Sequence, residues 1–585
     1  MFLGRPNELQ YSPAQTNMFQ GTSLDSAACE RTTPRSLSGG LGGPLVRGMS
    51  RTTSVTSQVS ADEAPEELSG LLTSVCKVFT SAVRPSFAAP WTNHSPESWH
   101  GSAFVLDVEK RLIVTNAHCV EFARTILLRR EGQADKFEAC LLACAHQCDL
   151  AILTVNDEGF WATGQEDVSD VTQVELGHLP KMQQSVDVVG FPIGGDSVCI
   201  TTGVVSRIDF GAYSQSRESN LLVQVDAAIN GGNSGGPAFS KGKLVGVAFQ
   251  GLPSKEADGV GYIIPVSILR RVLEDFFVSA RDAGLPAGPK EGGWGAISPN
   301  VPVVSLRGFG RVAFDVQTAE SPHLSASLKL PSSVSGVVVR KVPAVSNLSN
   351  VLKDDDVIAA VDDYRITNDG RITVAGTTLD FQHVVTSKLC GEVIRFTVFR
   401  DGVKQVVESL AENPPEWAKE INKSLKVHYV QFAGLVFSAI TNSDVGKGLD
   451  GLAPFVEDSA KIAGRKHVKP DQELIILSSL LPHSINIGYD KAVAYNDWQP
   501  EPLLSVNGTD VDCLVDVARC IALAVQSRAE FLTFAFANSE RIVLPVEPGL
   551  EASKQLCADF GMLQGAVSEE VLVKLGNLEL ASLLK

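Results

Sequence analysis

The run Gly231-Gly232-Asn233-Ser234-Gly235-Gly236-Pro237 sets one serine among glycines. Glycine adopts backbone conformations that a side chain forbids, so the chain can turn sharply and pass close to a substrate carbonyl. The amides of Gly232 and Ser234 can then face one oxygen, as stabilisation of a tetrahedral oxyanion requires. A serine hydroxyl is a weak nucleophile until a base takes its proton. Thr115-Asn116-Ala117-His118-Cys119 follows the apolar run 112–114 and offers an imidazole at a strand end. Cys148-Asp149 precedes the apolar run 150–153 and offers a carboxylate beside a buried strand. Such a carboxylate orients an imidazole and stabilises its charged form. Alone, a Gly-Ser-Gly run is a loop and a lone histidine is structural. Together the three read as nucleophile, base and orienting acid.

The order His118, Asp149, Ser234 is that of chymotrypsin-type enzymes, not of subtilisins or α/β-hydrolases. The surrounding chain suits such a frame. Residues 71–280 hold many short β-rich runs broken by Gly, Pro and Asp, among them 103–106, 111–115, 150–155, 185–189, 221–225 and 243–249. Repeated short strands predict an all-β barrel or sandwich. Residues 268–283 carry apolar positions at helical spacing and read as a closing helix. A β-rich domain closed by a helix therefore spans 71–284, and the Gly- and Pro-rich 285–300 reads as a linker. Two further blocks, 301–411 and 424–545, combine strands with one or two helical stretches. They share an echo: 357–363 (VIAAVDD) and 503–508 (LLSVNG) each read as a strand ending in a tight turn, followed by helical stretches at 381–389 and 513–525. Residues 546–585 read as a mostly helical, polar tail.

The 585 residues carry 50 Lys+Arg against 67 Asp+Glu, a net charge of −17. That balance disfavours a general binder of nucleic acid or anionic membrane, and no nucleic-acid partner is expected. No stretch approaches ~20 consecutive apolar residues, so no membrane span is expected. Eleven Cys without a CxxC pair read as free thiols in a reducing compartment. Residues 1–60 hold 16 Ser/Thr and five Arg but only Glu8, Asp25 and Glu30 as acids. That composition fits an organellar transit peptide or an ordinary disordered tail over 1–70.

Residues 74–91 (SVCKVFTSAVRPSFAAPW), 189–195 (VGFPIGG), 202–208 (TGVVSRI) and 226–239 (DAAINGGNSGGPAF), with the three motifs, resemble the HtrA/Deg family of serine proteases, in particular its plant- and algal-type members. The resemblance covers roughly residues 71–545. It implies a mostly β chain: a chymotrypsin-like double β-barrel followed by two PDZ-like α+β domains. It further implies an ATP-independent endopeptidase acting on damaged or unfolded proteins. His118 would be the base, Asp149 its orienting acid, Ser234 the nucleophile, and Gly232 and Ser234 the oxyanion hole, with no cofactor. Ala228, six before the nucleophile, and Ile229 would form the base of the specificity pocket. The absence of an acid there points to a small or medium apolar residue in the substrate.

Residues 301–411 resemble a PDZ domain through 336–342 (GVVVRKV) and 351–363 (VLKDDDVIAAVDD), with a weak carboxylate-binding loop at Gly308-Phe309-Gly310. Gly434-Leu435-Val436-Phe437 is closer to the usual PDZ peptide-binding loop. Each module binds an extended peptide or plays an architectural part. Phe79, Phe87 and Trp91 match the aromatic residues through which the family builds homo-oligomers on trimers; the alternative is that they cover one end of a barrel. The spacing Cys140, Cys144, Cys148, with His146 nearby, suits a metal only on a helix, and the β-rich context predicts strand, turn and strand, so no metal is expected. Cys119 and Cys148 adjoin two of the three site residues and are either redox-sensitive or simply packed. Control is expected from loops at 209–220 and 251–259. The alternative to proteolysis is a non-proteolytic holdase or PDZ scaffold. Chloroplast or mitochondrion is the expected location, with nucleus or cytoplasm the alternative.

Overall fold

In a computed structural model, the chain is described over residues 70–584 except 88, 163–169, 217, 252–259, 286–293, 295–301, 375, 414–426, 441–468, 470 and 490–501. The N-terminal segment 1–69, the loop 252–259 and most of the linker lie outside the described residues.

Twelve strands close into two barrels. The first contains β1 (Val75–Ala82), β2 (Glu97–Asp107), β3 (Leu112–Thr115), β4 (Ala123–Arg130), β5 (Phe137–Ala145) and β6 (Leu150–Val155), ordered β1-β2-β3-β6-β5-β4. The second contains β7 (Ser185–Gly190), β8 (Cys199–Ala212), β9 (Ser219–Val225), β10 (Pro237–Ser240), β11 (Lys243–Gly251) and β12 (Gly261–Pro265), ordered β10-β11-β12-β9-β8-β7. Closure leaves these strands no free edge. A one-turn helix α1 (Glu158–Trp161) follows β6, and α2 (Val266–Asp282) closes the domain. Helix α2 buries Val266, Leu269, Val272 and Phe276 at helical spacing, and Gly284 (φ +73°) follows its end. Trp294, inside the stretch read as a linker, is buried; its indole donates to Lys110 O at 2.7 Å and its ring faces Phe276.

The first C-terminal module is a sheet of β13 (Asp315–Thr318), β14 (Val337–Lys341), β15 (Val357–Val361), β19 (Val393–Arg400) and β20 (Val403–Leu410) in that order. Strand β16 (Tyr364–Arg365) pairs with β15, and β17 (Arg371–Val374) forms a hairpin with β18 (Thr377–Asp380). Short helices α3 (Pro322–Ser327) and α4 (Gln382–Thr386) complete it. The helix predicted over 381–389 is thus shorter, because 389–392 turn to meet Gly308 and Ala411. One apolar core runs from the barrels into this module.

The second module has a three-stranded sheet, β21 (Val430–Phe432), β22 (Leu435–Ala439), β23 (Ile475–Leu480), and a four-stranded one. The latter orders β25 (Thr509–Asp510), β24 (Leu503–Val506), β26 (Phe531–Phe536) and β27 (Arg541–Pro545). Four helices follow the strands in part: α5 (Leu514–Gln526), α6 (Val546–Asp559), α7 (Glu569–Leu575) and α8 (Leu578–Leu583). The sequence echo appears in the pairing. β15 turns through Asp362 (φ +48°) into β16 and pairs with β19; β24 turns through Asn507 (φ +49°) into β25 and pairs with β26.

Three further expectations change. Residues 546–584 are not a polar tail: Val546, Val571, Leu575, Leu580 and Leu584 belong to the second module's core. Their apolar positions recur at three- and four-residue spacing, hidden among polar neighbours. Cys140 and Cys144 share β5, while Cys148 ends a 3-10 turn, His146–Cys148, so the three do not follow strand, turn and strand. Of the expected regulatory stretch 209–220, residues 209–212 belong to β8 and 219–220 to β9, which confines the loop to 213–218.

Candidate active site

The three sequence motifs meet between the barrels. His118 lies in a 3-10 turn after β3, and its Nδ1 is 2.7 Å from Asp149 Oδ2. The His118 amide donates to the other carboxylate oxygen, Oδ1, at 2.9 Å. Asp149 is only 1% exposed and left-handed (φ 54°, ψ 42°). That conformation costs an L-residue roughly 1–2 kcal/mol and persists where neighbours hold it. Here Ala117 N (3.1 Å) and Asn116 Nδ2 (2.9 Å) both donate to Asp149 O. Burial works against the charged imidazole of His118. The Asp149 charge, the neighbouring Cys119 sulfur and the Asp149 hydrogen bond outweigh it and hold His118 well above the ordinary histidine range.

Ser234 sits in the glycine turn before β10. Gly232 (φ +97°) and Gly235 (φ +84°) are left-handed. A Cβ on Gly235 would lie 2.1 Å from Ser102 O, and one on Gly232 would lie 2.4 Å from Phe191 O. Neither position tolerates a side chain. Ser102, which the motifs did not single out, ties the turn down. Its hydroxyl donates to Gly232 O (2.7 Å) and accepts from Phe191 N (2.9 Å), and its amide donates to Ser234 O (2.8 Å). Ile193 N takes up Gly231 O at 2.9 Å. Among the described residues, the amides of Gly232 and Ser234 have no acceptor, so both donors are open. The Ser234 hydroxyl donates to Phe249 O at 3.4 Å, and among the described residues no hydrogen bond joins it to His118. In substrate-free sites this alignment commonly tightens on binding.

Other site expectations divide. From 225 to 230 buried and exposed residues alternate, which places Ala228 at the surface, its carbonyl taken by Thr201 Oγ1, instead of at a pocket base. Ile229 is buried, and a Cβ on Gly261 would lie 2.7 Å from it. Cys119 is a free thiol donating to Ser234 O at 3.5 Å and lies against Gly101, where a Cβ would stand 2.7 Å from Cys119 Sγ. Cys148 is fully buried, which raises its thiol pKa strongly. Thiols this buried behave as packed apolar groups, which is the packed alternative of the two readings. Among the described residues no cluster of His, Cys, Asp and Glu could hold a metal.

Both peptide-binding expectations fail on hydrogen-bond occupancy. Gly434, Leu435, Val436 and Phe437 are buried, and β22 has β21 on one edge and β23 on the other over 435–437. No edge remains there for an added strand. In Gly308-Phe309-Gly310 the three amides donate to Asp275, Gln147 and Lys388. Trp91, expected to serve an oligomer contact, packs within the chain, 5.8 Å from Tyr429 and 6.4 Å from Phe560. Phe79 is covered by Lys77, Arg129, Lys136 and His100.

Double barrels with a histidine–carboxylate pair next to a glycine-bound serine turn define the class of trypsin-like serine endopeptidases. A model of the trypsin-like peptidase domain matches residues 101–247, and a PDZ-domain model matches 419–569. The chain is 30% identical to protease Do-like 2, chloroplastic, of Arabidopsis thaliana over 509 residues, covering 86% of this chain and 76% of that one. Identity to the putative protease Do-like 3, mitochondrial, of the same plant is 31% over 529 residues, 89% of this chain and 85% of the relative. Protease Do-like 4, mitochondrial, also of Arabidopsis thaliana, is 32% identical over 444 residues, 75% of each. The chain belongs to the HtrA/Deg (Do-like) family of serine proteases and is a serine endopeptidase with a PDZ domain.

Proposed function

We propose that this protease cleaves damaged or unfolded proteins without ATP, by an acyl-enzyme route through Ser234, His118 and Asp149. The observation that carries the reading is the Asp149-bound His118 beside a serine turn whose two amides are open. His118 takes the Ser234 proton as the hydroxyl oxygen bonds to the scissile carbonyl carbon. The resulting oxyanion accepts hydrogen bonds from the Gly232 and Ser234 amides. His118 then gives the proton to the leaving nitrogen as the C–N bond breaks. Water repeats the cycle and frees the acyl group. Asp149 keeps the imidazole in the tautomer and orientation this needs. Ile229 against Gly261, with no acid at either position, supports a small or medium apolar side chain in the substrate.

The names of the relatives, chloroplastic and mitochondrial, and the Arg- and Ser-rich start support an organellar address. Homo-oligomers built on trimers remain part of the proposal, with Phe87 as the contact, since Phe79 is covered within the chain and Trp91 packs on the second module; light scattering tests the size. The deciding experiment compares casein degradation and fluorophosphonate labelling in the wild type and Ser234→Ala. The reading expects both in the wild type and neither in the variant, a loss of about 10⁶-fold in kcat. Cleavage by Ser234→Ala would remove the triad assignment, and silence of the wild type in both assays would favour a holdase or scaffold.

A further inference from the structure

Gln147 lies two residues before Asp149 and has no part in the chemistry above, yet it is bonded on three sides. Its carbonyl accepts from Ser216 Oγ and Asn220 Nδ2, both at 3.0 Å, from the tip of β8–β9. Its side-chain amide meets the backbone of Phe309 in the first module in both directions. Phe309 N donates to Oε1 (2.8 Å), and Nε2 donates to Phe309 O (3.2 Å). Gly308 (φ +78°) makes room, since a Cβ there would stand 2.7 Å from Gln147 Oε1. Buried Asp275 on α2 grips the same loop. One oxygen accepts from Gly308 N (2.9 Å), the other from Arg307 Nε (2.8 Å) and Ser279 Oγ (3.2 Å). From the module's side, Gly310 N donates to Lys388 O and Cys390 N to Gly308 O, each at 2.8 Å. Arg311 pairs with Glu218 across the same junction.

This clasp holds the outer side of the turn His146–Cys148, whose inner side ends at the left-handed Asp149. Ala117 and Asn116 fix Asp149 from within, and Gln147 fixes the turn from without. We propose that Gln147 is a positioning residue for the reaction. Its clasp with Phe309 and the 216–220 tip keeps the Asp149 turn in register with His118, so docking of the first module is a condition of catalysis. The proposal rests on the reading of Ser234, His118 and Asp149 as the triad. Sub-ångström alignment is worth large factors in rate, and a displaced carboxylate orients its imidazole poorly.

The test uses the full chain and a fluorogenic peptide with a small apolar residue at the cleavage site. Gln147→Met keeps the volume and loses both side-chain hydrogen bonds. Expected is a kcat about 10-fold or more lower with KM unchanged. The acid limb of kcat/KM should also move to lower pH, because the groups that raise His118 are Asp149 and Cys119 and the variant loosens the first. Lost stability alone would not move that limb. Asp275→Asn reaches the loop from the other side, and a smaller shift of the same sign is expected. It decides the matter if Gln147→Met does not fold. Wild-type kcat and acid limb in the folded variant would overturn the proposal. Ser234→Ala run alongside separates the cases: activity retained there would overturn the triad reading instead.

Discussion

The two C-terminal modules repeat one plan, strand, left-handed turn, strand, helix and hairpin, yet they are joined to the barrels by different chemistry. The first shares an apolar core with the barrels, and its glycine loop takes a carboxylate from Asp275 and an amide from Gln147. The second has a core of its own. Its glycine loop is closed from within: Leu481 N donates to Gly434 O, Asn486 Nδ2 to Ala433 O, and Ala433 N to Ser553 Oγ. Its contact with the protease domain through Trp91 is aromatic. Two similar loops are thus filled from different sources, and only the first connects to the turn that carries Asp149. Polar contacts of fixed geometry transmit position, whereas an apolar face tolerates small shifts.

That difference can be broken by mutation. The largest effect is expected at Gly434, which is left-handed (φ +92°) and whose built Cβ would lie 2.3 Å from Asn486 Nδ2 and 2.4 Å from Leu481 O. Gly434→Ala should destabilise the second module by about 3–4 kcal/mol in urea unfolding. The kcat of molecules still folded should stay at the wild-type value. A fall in that kcat would show the second module wired to the site as the first is.

Acid separates the modules next. His383 on α4 is half-buried beside Phe210, and desolvation lowers its pKa from 6.5 to about 4. The unfolded chain therefore binds the proton more readily. Stability is full above pH ~6.5, declines as pH falls toward ~4, and the total loss is about 3 kcal/mol. His383→Phe should flatten this decline in thermal melts between those pH values. An unchanged decline would place the acid-sensitive group elsewhere. In the second module burial also lowers His428, but Glu570 opposes it, so a weaker acid response is expected there.

A smaller effect belongs to Trp91→Ala, which removes two edge-on ring contacts worth about 1–2 kcal/mol together. Hydrogen exchange should quicken at 429–437 and kcat should hold. A kcat lowered to the level of Gln147→Met would erase the distinction between the junctions. The two histidines sharpen the comparison last. His383, with no carboxylate partner among the described residues, is lowered, whereas His118, bound to Asp149, is raised. The acid limb of kcat/KM should accordingly have its midpoint above 6.5, the ordinary histidine value. A midpoint below it would mean that Asp149 does not hold the imidazolium in solution.

Much of the catalytic frame was legible in the residues themselves. Short β-rich runs broken by Gly, Pro and Asp marked barrel strands, because such residues fit a pleated strand and the breakers fit the turns between strands. The glycines around Ser234 announced a turn no side chain fits, and the structure finds Gly232 and Gly235 left-handed and crowded. His118, Asp149 and Ser234 stood out because each type is needed for one step of one reaction. Ser102 and Gln147 carried no such mark, since serine and glutamine serve ordinary surfaces equally well. The helical character of residues 546–585 was legible, but not their place in the second module's core, because their apolar positions are sparse and find their partners only on packing.

Local residue type thus determined the chemistry on offer and the turns that present it. Tertiary structure decided which backbone amides remain open to a ligand. The loops at Gly232, Gly308 and Gly434 all promise donors when read as letters. In the serine turn the Gly232 and Ser234 amides have no acceptor among the described residues, while Gly308 is filled by Asp275, 33 residues away, and Phe309 by Gln147, 162 residues away. The physical reason is that a hydrogen-bond donor takes whatever acceptor folding brings within about 3 Å, and that neighbour is set by the fold, not by adjacent sequence.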